Sequence, residues 1–489
     1  MLEINHPPDA PALLESMRSI GYSLESAIAD LIDNSISAKC KNVWLEFRPE
    51  PNPYVALLDD GIGMTESVLE SAMRHGSTNP LTVRDENDLG RYGLGLKTAS
   101  LSQCRTFTVV SRTKEGICSY RWDLDRVLLR KAWILLKLTK KEIDSLPHVS
   151  ELKKLKSGTL IIWENLDRMM AGETSVERAL GQQMTVAREH VSLVFHRYIQ
   201  GETGLKQIKV FFNLRELSPI DPFLLEHVST QRLSEDSFTV ERKRVTVKPF
   251  ILPYISKLSA SDILRAGGTE GLRHHQGFYV YRNRRLIIWG TWFRLARKDE
   301  LSKLARVRVD VPNSLDHLWT IDVKKSMAVP PEAVRLNLKR TVEKIRQVST
   351  RTLVYRGRQE NLGLISTGWK EFVDRGGVRF DINREHPAIT SLISNLPKKN
   401  QRQFESVLRV IEQSFPVDAL YARLATDHRT QPANSNAEQN YRELVQLAIG
   451  NIPSENSAIK IFLETLHLIE PFSVHPEIAR KIAKEFLSQ

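Results

Sequence analysis

Three polar motifs follow one another in the first 165 residues, each tied to a different regular element. The first is SLESAIADLIDNSISA (23–38), whose apolar spacing predicts a helix. On a wheel of about 100° per residue, Asp30, Asp33, Asn34 and Ser37 fall within about 100° of one another. Leu24, Ala27, Ile28, Leu31 and Ile32 take the remaining side. Asp30 and Asn34 are four residues apart and so are neighbours on the helix. Taken alone, the same pattern suits an amphipathic surface helix with its polar residues in water.

The second motif follows the strand-like runs NVWLEF (42–47) and YVALL (54–58). It reads Asp59-Asp60-Gly61-Ile62-Gly63-Met64. Its two glycines let the backbone turn sharply and approach a ligand closely. A carboxylate at a strand end can accept a hydrogen bond from an exocyclic amine such as that of adenine. Asp-Gly is also an ordinary turn signal. The third motif is GRYGLGLKT (90–98), leading into the helix-like ASLSQC. Backbone N–H groups ahead of a helix start attract anions, and Lys97 adds a cation one turn in. This is not the phosphate loop GxxxxGK[ST], because Leu96 separates Gly95 from Lys97.

Around these motifs the chain alternates helices and strands. RTFTVVS (105–111) and CSYRW (118–122) predict a strand pair about the turn KEG, and SGTLIIW (157–163) predicts a further strand. Interleaved strands and helices give an α/β class. From about 185 to 345 a second block predicts strands at IKVFFN, RVTVKPFIL, GFYVYRN and RRLIIW, with a helix near Pro331. Residues 375–395 read as a connector with one strand. Residues 396–489 are mainly helical, broken by the polar stretch TDHRTQPANSNAEQN (426–440). At roughly 100–200 residues per domain, the 489 residues suit two to four domains. The predicted divisions are 1–22, 23–184, 185–350 and 351–489.

Composition excludes several classes. Hydrophobic residues make up 41% and charged residues 26%, which argues against wholesale disorder or a collagen repeat. No apolar run approaches the roughly 18–20 residues of a spanning helix, so no membrane association is predicted. The start MLEINHPPDAPALL carries acids where a secretory signal needs bases, which predicts a cytoplasmic protein. Cys40, Cys104 and Cys118 are too few and too scattered for a disulfide framework or a CxxC metal site. The net charge of +12 allows recruitment of nucleic acid and equally suits general solubility.

In combination and order, ADLIDNSISA, DDGIGM, GRYGLGLKTAS and Gly158-Thr159 resemble the GHKL ATPase superfamily of gyrase B, heat-shock chaperones, histidine kinases, MutL and MORC proteins. The first and third segments resemble the prokaryotic MORC-like and MutL-like branch. The resemblance implies a Bergerat-type α/β sandwich over 23–184 with ATP and Mg²⁺ as cofactors. By resemblance, Asp30 is the general base and Asn34 the Mg²⁺ ligand. Asp59 binds the adenine amine, assisted by Thr159, and Gly61 and Gly63 shape that pocket. Gly90, Gly93 and Gly95 offer N–H groups to phosphates, and Lys97 pairs with them. Two departures bear on rate. Asp30 stands where the superfamily usually has glutamate, one methylene longer, and Ser37 replaces an aspartate often found there.

The resemblance also makes 185–350 a transducer-like domain with a lysine that reads the γ-phosphate. The residue assigned is Lys325, with Lys324 as its alternate, in TIDVKKSMAVPP (320–331). The pair also reads as two solvated lysines. GFYVYRNRRLIIWGTWFRLARK (277–298) mixes bases with aromatics, which suits a nucleic-acid backbone, and Arg282, Arg284, Arg285 and Arg294 are its predicted contacts. The same composition suits a hairpin with solvated arginines, a packed aromatic face and Asn283 at its turn. The implied function is a clamp that closes as an ATP-dependent homodimer, with 1–22 helping to pair the subunits. DNA is the implied cargo, restriction or antiviral defence the implied setting, and a separately encoded effector an allowed partner. The alternatives are a nucleotide-gated sensor or protein-binding module with little turnover, and a chaperone-like ATPase.

Overall fold

The computed structural model describes residues 8–19, 22–75, 95–169, 172–173, 175–268, 270–299, 302–315, 320–321, 328–354, 367–374, 377–416, 437–450 and 456–487. Gly90, Gly93, Lys324, Lys325, most of the segment 74–88 and most of the polar stretch 426–440 lie outside the described residues. The chain divides into two compact units, Met1–Thr350 and Arg351–Gln489.

The first unit opens with α1 (Ala10–Arg18) and α2 (Leu24–Ser37), then β1 (Asn42–Arg48), β2 (Tyr54–Asp59) and α3 (Glu66–Met73). It continues with α4 (Gly95–Gln103), β3 (Thr106–Thr113), β4 (Gly116–Asp123), α5 (Leu124–Arg130) and β5 (Leu136–Lys137). Next come α6 (Lys140–Asp144), α7 (Val149–Lys154), β6 (Gly158–Glu164), α8 (Val176–Val194), α9 (His196–Gln200), β7 (Lys209–Phe212) and β8 (Arg215–Glu216). All eight strands form one sheet in the order β5-β4-β3-β6-β2-β1-β7-β8. Its pairs are antiparallel except β1 with β7.

Strand alternation sorts the core into two faces. Val55, Leu57, Phe107, Val109, Ile161 and Trp163 join the cluster built with α1, α2, α4 and α8. Ala56, Leu58, Val110, Leu160 and Ile162 face the other way, against Ile143 of α6 and Val149 and Leu152 of α7. Central strands covered on both sides explain why β2 and β6 read as continuous apolar runs rather than alternating ones. Leu24, Ala27, Ile28, Leu31 and Ile32 are all buried, so the apolar face of α2 is the one its wheel predicts. Helix α1, within the predicted segment 1–22, is docked on the same subunit: Ala10 and Leu14 are buried, and Arg18 donates from Nε to the Leu101 carbonyl at 2.7 Å.

The second block differs from its predicted bounds. The limit at 184/185 falls inside α8, and IKVFFN, predicted as part of the second block, supplies β7 of the first sheet. Val210 pairs in register with Val43, a contact between distant residues that no local pattern announces. The second sheet begins further on, with β9 (Gln231–Arg232), β10 (Asp236–Val240) and β11 (Lys243–Ile251). After α10 (Ala260–Gly267) come β12 (Gly277–Arg282), β13 (Arg285–Thr291) and β14 (Ala305–Val311). Its order is β10-β11-β14-β12-β13, with β9 beside β11. Phe223, Phe250, Tyr279, Tyr281 and Leu286 form its aromatic core. Short strands β15 (Thr320–Ile321) and β16 (Ala328–Val329) pair on either side of 322–327, and α11 (Glu332–Val354) follows.

The second unit holds a hairpin of β17 (Trp369–Asp374) and β18 (Gly377–Ile382), so the connector contributes one strand of a pair. Helices α12 (Pro387–Asn395), α13 (Lys398–Gln413), α14 (Ala437–Gly450), α15 (Asn456–Thr465) and α16 (Pro476–Leu487) make up most of the rest. Tyr441, Val445, Leu463, Leu466, Ile482 and their neighbours give it a core of its own. Among the described residues, no helix is long and apolar enough to cross a membrane.

Candidate active site

The site forms where α2 meets the end of β2 and the start of α4. Asp59, the last residue of β2, is buried. Its Oδ1 accepts from Gly61 N at 2.9 Å, and its Oδ2 accepts from the Ser35 hydroxyl at 2.9 Å. Burial pushes its carboxyl up to about 6, although the Gly61 N–H, the Ser35 hydroxyl and the Thr159 backbone favour the ionised form. Thr159 is its cross-strand partner on β6, and the Thr159 hydroxyl lies 3.4 Å from Ser111 Oγ. The second aspartate has a different job. Asp60 accepts from the backbone of Lys41 and Asn42 and from the Asn42 carboxamide, which fixes the turn between α2 and β1.

The glycines of this corner are required by space. A Cβ on Gly61 would meet Ala38 Cβ at 2.8 Å and Asp59 Oδ1 at 2.9 Å. Gly63 has φ +69°, and a Cβ there would lie 2.1 Å from the Arg112 carbonyl oxygen. A Cβ on Gly158 would lie 2.2 Å from the Asp59 carbonyl oxygen.

One turn before the Asp59 corner, α2 presents Asp30 and Asn34. Asn34 is exposed, and its carboxamide makes no hydrogen bond with a described residue. Gly95 opens α4 directly opposite: its nearest neighbour, at the position of a Cβ, is Asp30 Oδ2 at 3.8 Å. Gly95 therefore lies against Asp30, which has Asn34 four residues further along the same helix. Lys97, predicted to pair with phosphates, lies near the start of α4. It is buried, and its Nζ donates to the Ala72 carbonyl of α3 at 2.7 Å. Burial lowers its amine to about 8.

Asp30 is already engaged. The Tyr22 hydroxyl donates to its Oδ2, and Arg285 Nη2 lies 3.4 Å from its Oδ1. The same guanidinium places Nε 2.8 Å from Asp33 Oδ2. Arg285 is thus a correction to the predicted nucleic-acid contacts. It is buried, its charge is spent on α2, and it is not available to a phosphate backbone. Arg282 is corrected on the same ground, since β12 is buried along its whole length. Arg284 is half-buried and Arg294 exposed. Tyr279, Tyr281 and Trp292 are packed inside, so the aromatic half of the ribbon belongs to the core. Asn283 and Arg284 form the hairpin turn, with φ of 47° and 65°.

Sequence reasoning passed over Ser35 and Tyr22, and placed Asp33 on the polar face of α2 without giving it a role. Ser35 carried a legible signal, because it lies on the core side of α2, where a hydroxyl needs a partner. Tyr22 belongs to no motif, and Arg285 was legible only as a member of the basic segment 277–298.

Known proteins now bear on this geometry. Residues 22–159 match the family described as "Histidine kinase-, DNA gyrase B-, and HSP90-like ATPase". This segment is a GHKL-superfamily ATPase domain, on the branch of MORC and MutL. The chain is similar to "ATPase morc-1" of Caenorhabditis elegans, 30% identical over 115 residues, which are 22% of this chain and 13% of that protein. It is similar to "DNA mismatch repair protein MLH3" of Saccharomyces cerevisiae, 27% identical over 148 residues, 29% of this chain and 20% of that one. It is also similar to "DNA mismatch repair protein MutL" of a Thermoanaerobacter species, 33% identical over 93 residues, 18% and 15% of the two chains. The chain therefore spans 13–20% of the length of these relatives.

Proposed function

We propose that this protein binds and hydrolyses ATP at the α2–β2–α4 corner and uses the nucleotide to close a homodimeric clamp on DNA. The observation that supports it best is the convergence of Asp30, Asn34 and the start of α4, one turn from a buried carboxylate at a strand end. The residues fit the groups required. Asp59, held by Ser35 and Gly61, accepts the adenine amine when ionised. Asn34 offers an uncommitted hard oxygen for Mg²⁺, which is commonly held by few protein ligands plus phosphates. When bound, that ion would neutralise phosphate charge. The start of α4 supplies backbone N–H groups to the phosphates. Asp30 takes a proton from the water that attacks the γ-phosphorus, the bond to the bridging oxygen breaks, and ADP and phosphate leave.

DNA contact is assigned to Arg284 and Arg294, in keeping with the net charge of +12. Lys325, or Lys324, remains the proposed γ-phosphate reader. Resemblance points to restriction or antiviral defence as the setting. A second reading is a nucleotide-gated sensor. The engagement of a short carboxylate by both Tyr22 and Arg285 favours slow turnover.

Equilibrium binding of a fluorescent ATP analogue tests the reading. Wild type should bind in an Mg²⁺-dependent manner, and Asn34→Ala should lose the Mg²⁺ dependence. Hydrolysis stimulated by duplex DNA would separate the clamp from the sensor. No nucleotide binding by wild type would remove both.

A further inference from the structure

Four side chains stand in a row across the first sheet beside the Asp59 corner. Asp59 of β2 is paired with Thr159 of β6, Thr159 with Ser111 of β3, and Ser111 with Cys118 of β4. Residues directly opposed in antiparallel strands project to the same face. The loop that follows Asp59 is tied to this row at both ends. Asp59 Oδ1 accepts from Gly61 N at 2.9 Å, and Ser111 Oγ accepts from Met64 N at 2.7 Å. Cys118 Sγ donates to the Met64 carbonyl at 3.6 Å. Ser111 is fully buried, whereas Thr159 keeps 6% of its surface exposed.

A serine hydroxyl carries one proton and two acceptor lone pairs. One lone pair of Ser111 takes the Met64 N–H. Its proton goes to the Gly158 carbonyl oxygen at 3.2 Å. One lone pair is then left for Thr159 Oγ1, which lies 3.4 Å away. Among the described residues, the Thr159 hydroxyl has no other hydrogen-bond partner. Its proton is therefore spent on Ser111, and its own lone pairs are left on the Asp59 side of the row.

We infer that Ser111 is a positioning residue that makes Thr159 an acceptor, so that Asp59 and Thr159 together select a purine bearing an exocyclic amine over one bearing an oxygen there. This rests on Asp59 and Thr159 being the adenine partners of the proposed function. An exocyclic amine offers two protons, one for each acceptor. An oxygen in the same place brings an acceptor against two acceptors, and none of the three then has a donor. That penalty is the steep kind, because buried polar groups are left unpaired. A Thr159 hydroxyl free to turn would donate to the oxygen and soften the rejection. Ser111 prevents the turn without reaching the nucleotide, since it lies wholly inside the sheet's packing.

The test is competitive binding of ATP and inosine triphosphate to the full-length protein with Mg²⁺, read as the ratio of the two dissociation constants. Inosine triphosphate carries an oxygen where ATP carries its amine. Wild type should prefer ATP by about tenfold or more. Ser111→Ala should cut that preference at least about threefold. Ser111→Cys should do the same, because a thiol is a weak donor and acceptor, and its similar size keeps the test open if the alanine variant fails to fold. Ser111→Thr keeps the hydroxyl and should hold the wild-type ratio. In a Thr159→Val background, Ser111→Ala should leave the ratio where Thr159→Val sets it. A serine that only braces the loop would weaken both nucleotides alike. An unmoved ratio in the alanine and cysteine variants would therefore overturn the role of Ser111 and leave the ATP site standing. A further fall in the Thr159→Val background would overturn it as well. A wild type that binds both nucleotides equally would overturn Asp59 and Thr159 as the adenine partners, and one that binds neither would overturn the site itself.

Discussion

With Asp59 as the proposed adenine partner, nucleotide binding depends on pH in a direction that can be measured. Its carboxyl is held at about 6 in the fold, above the ordinary aspartate value, because it is buried. The folded protein therefore binds this proton more readily than the unfolded chain. Its contribution to stability is fully present below about pH 4 and is lost as pH rises through about 6. Ligand recognition runs the other way, because only the ionised form accepts from an adenine amine with full strength. The affinity for ATP should thus fall as pH is lowered from about 7.5 to about 5.5, by roughly the fraction of Asp59 that protonates. Asp59→Asn should bind more weakly at neutral pH and show a flatter profile. A titration of fluorescent nucleotide across pH checks both. An unchanged slope in the variant would remove Asp59 from the adenine pocket.

At the scale of elements, the corner beside Asp59 depends on backbone approach that no side chain permits. Gly63 combines φ +69° with a carbonyl oxygen 2.1 Å from where a Cβ would sit. Gly63→Ala should destabilise the protein by at least ~2 kcal/mol, read from denaturant unfolding. Gly181 offers the contrast, in the body of α8 with nothing within 4 Å of its would-be Cβ. Gly181→Ala should stabilise by about 0.5–1 kcal/mol, since the helix loses its most flexible residue. These elements were legible in the sequence where periodicity or turn chemistry is local. The apolar face of α2, the β3–β4 hairpin about its KEG turn and the strand before Asp59 all follow from spacing. What stayed hidden depends on partners far along the chain. Arg285 lies 255 residues from Asp30, and its place in a basic ribbon suggested a solvated surface. β12 is buried throughout, which turns an alternation of arginine and aromatics into core. β7 joins the first sheet by a parallel pairing that its own four residues do not specify.

For the whole molecule, the eight-stranded and six-stranded sheets of the first unit meet at α2 through Arg285, so the proposed nucleotide state and the position of the six-stranded sheet are linked wherever one prefers a state of the other. The proposed clamp adds a partner subunit. Light scattering should show a monomer without nucleotide and a dimer with a non-hydrolysable ATP analogue, and Asn34→Ala should stay monomeric. α1 is docked on its own domain through Leu14 and Arg18 in this structure, with Leu13 among its exposed residues. Deletion of residues 1–22 should therefore reduce unfolding stability as well as nucleotide-dependent pairing. DNA stimulation should weaken on Arg284→Ala and Arg294→Ala and fall as salt rises.

The measurement that reaches the central claim most directly is single-turnover ATP hydrolysis with Mg²⁺ by wild type and Asp30→Asn, with binding of the same nucleotide followed in parallel. The account predicts that Asp30→Asn keeps its nucleotide affinity within a few-fold and loses hydrolysis by about 10²-fold or more. Equal hydrolysis by the two proteins, at equal occupancy, would contradict it.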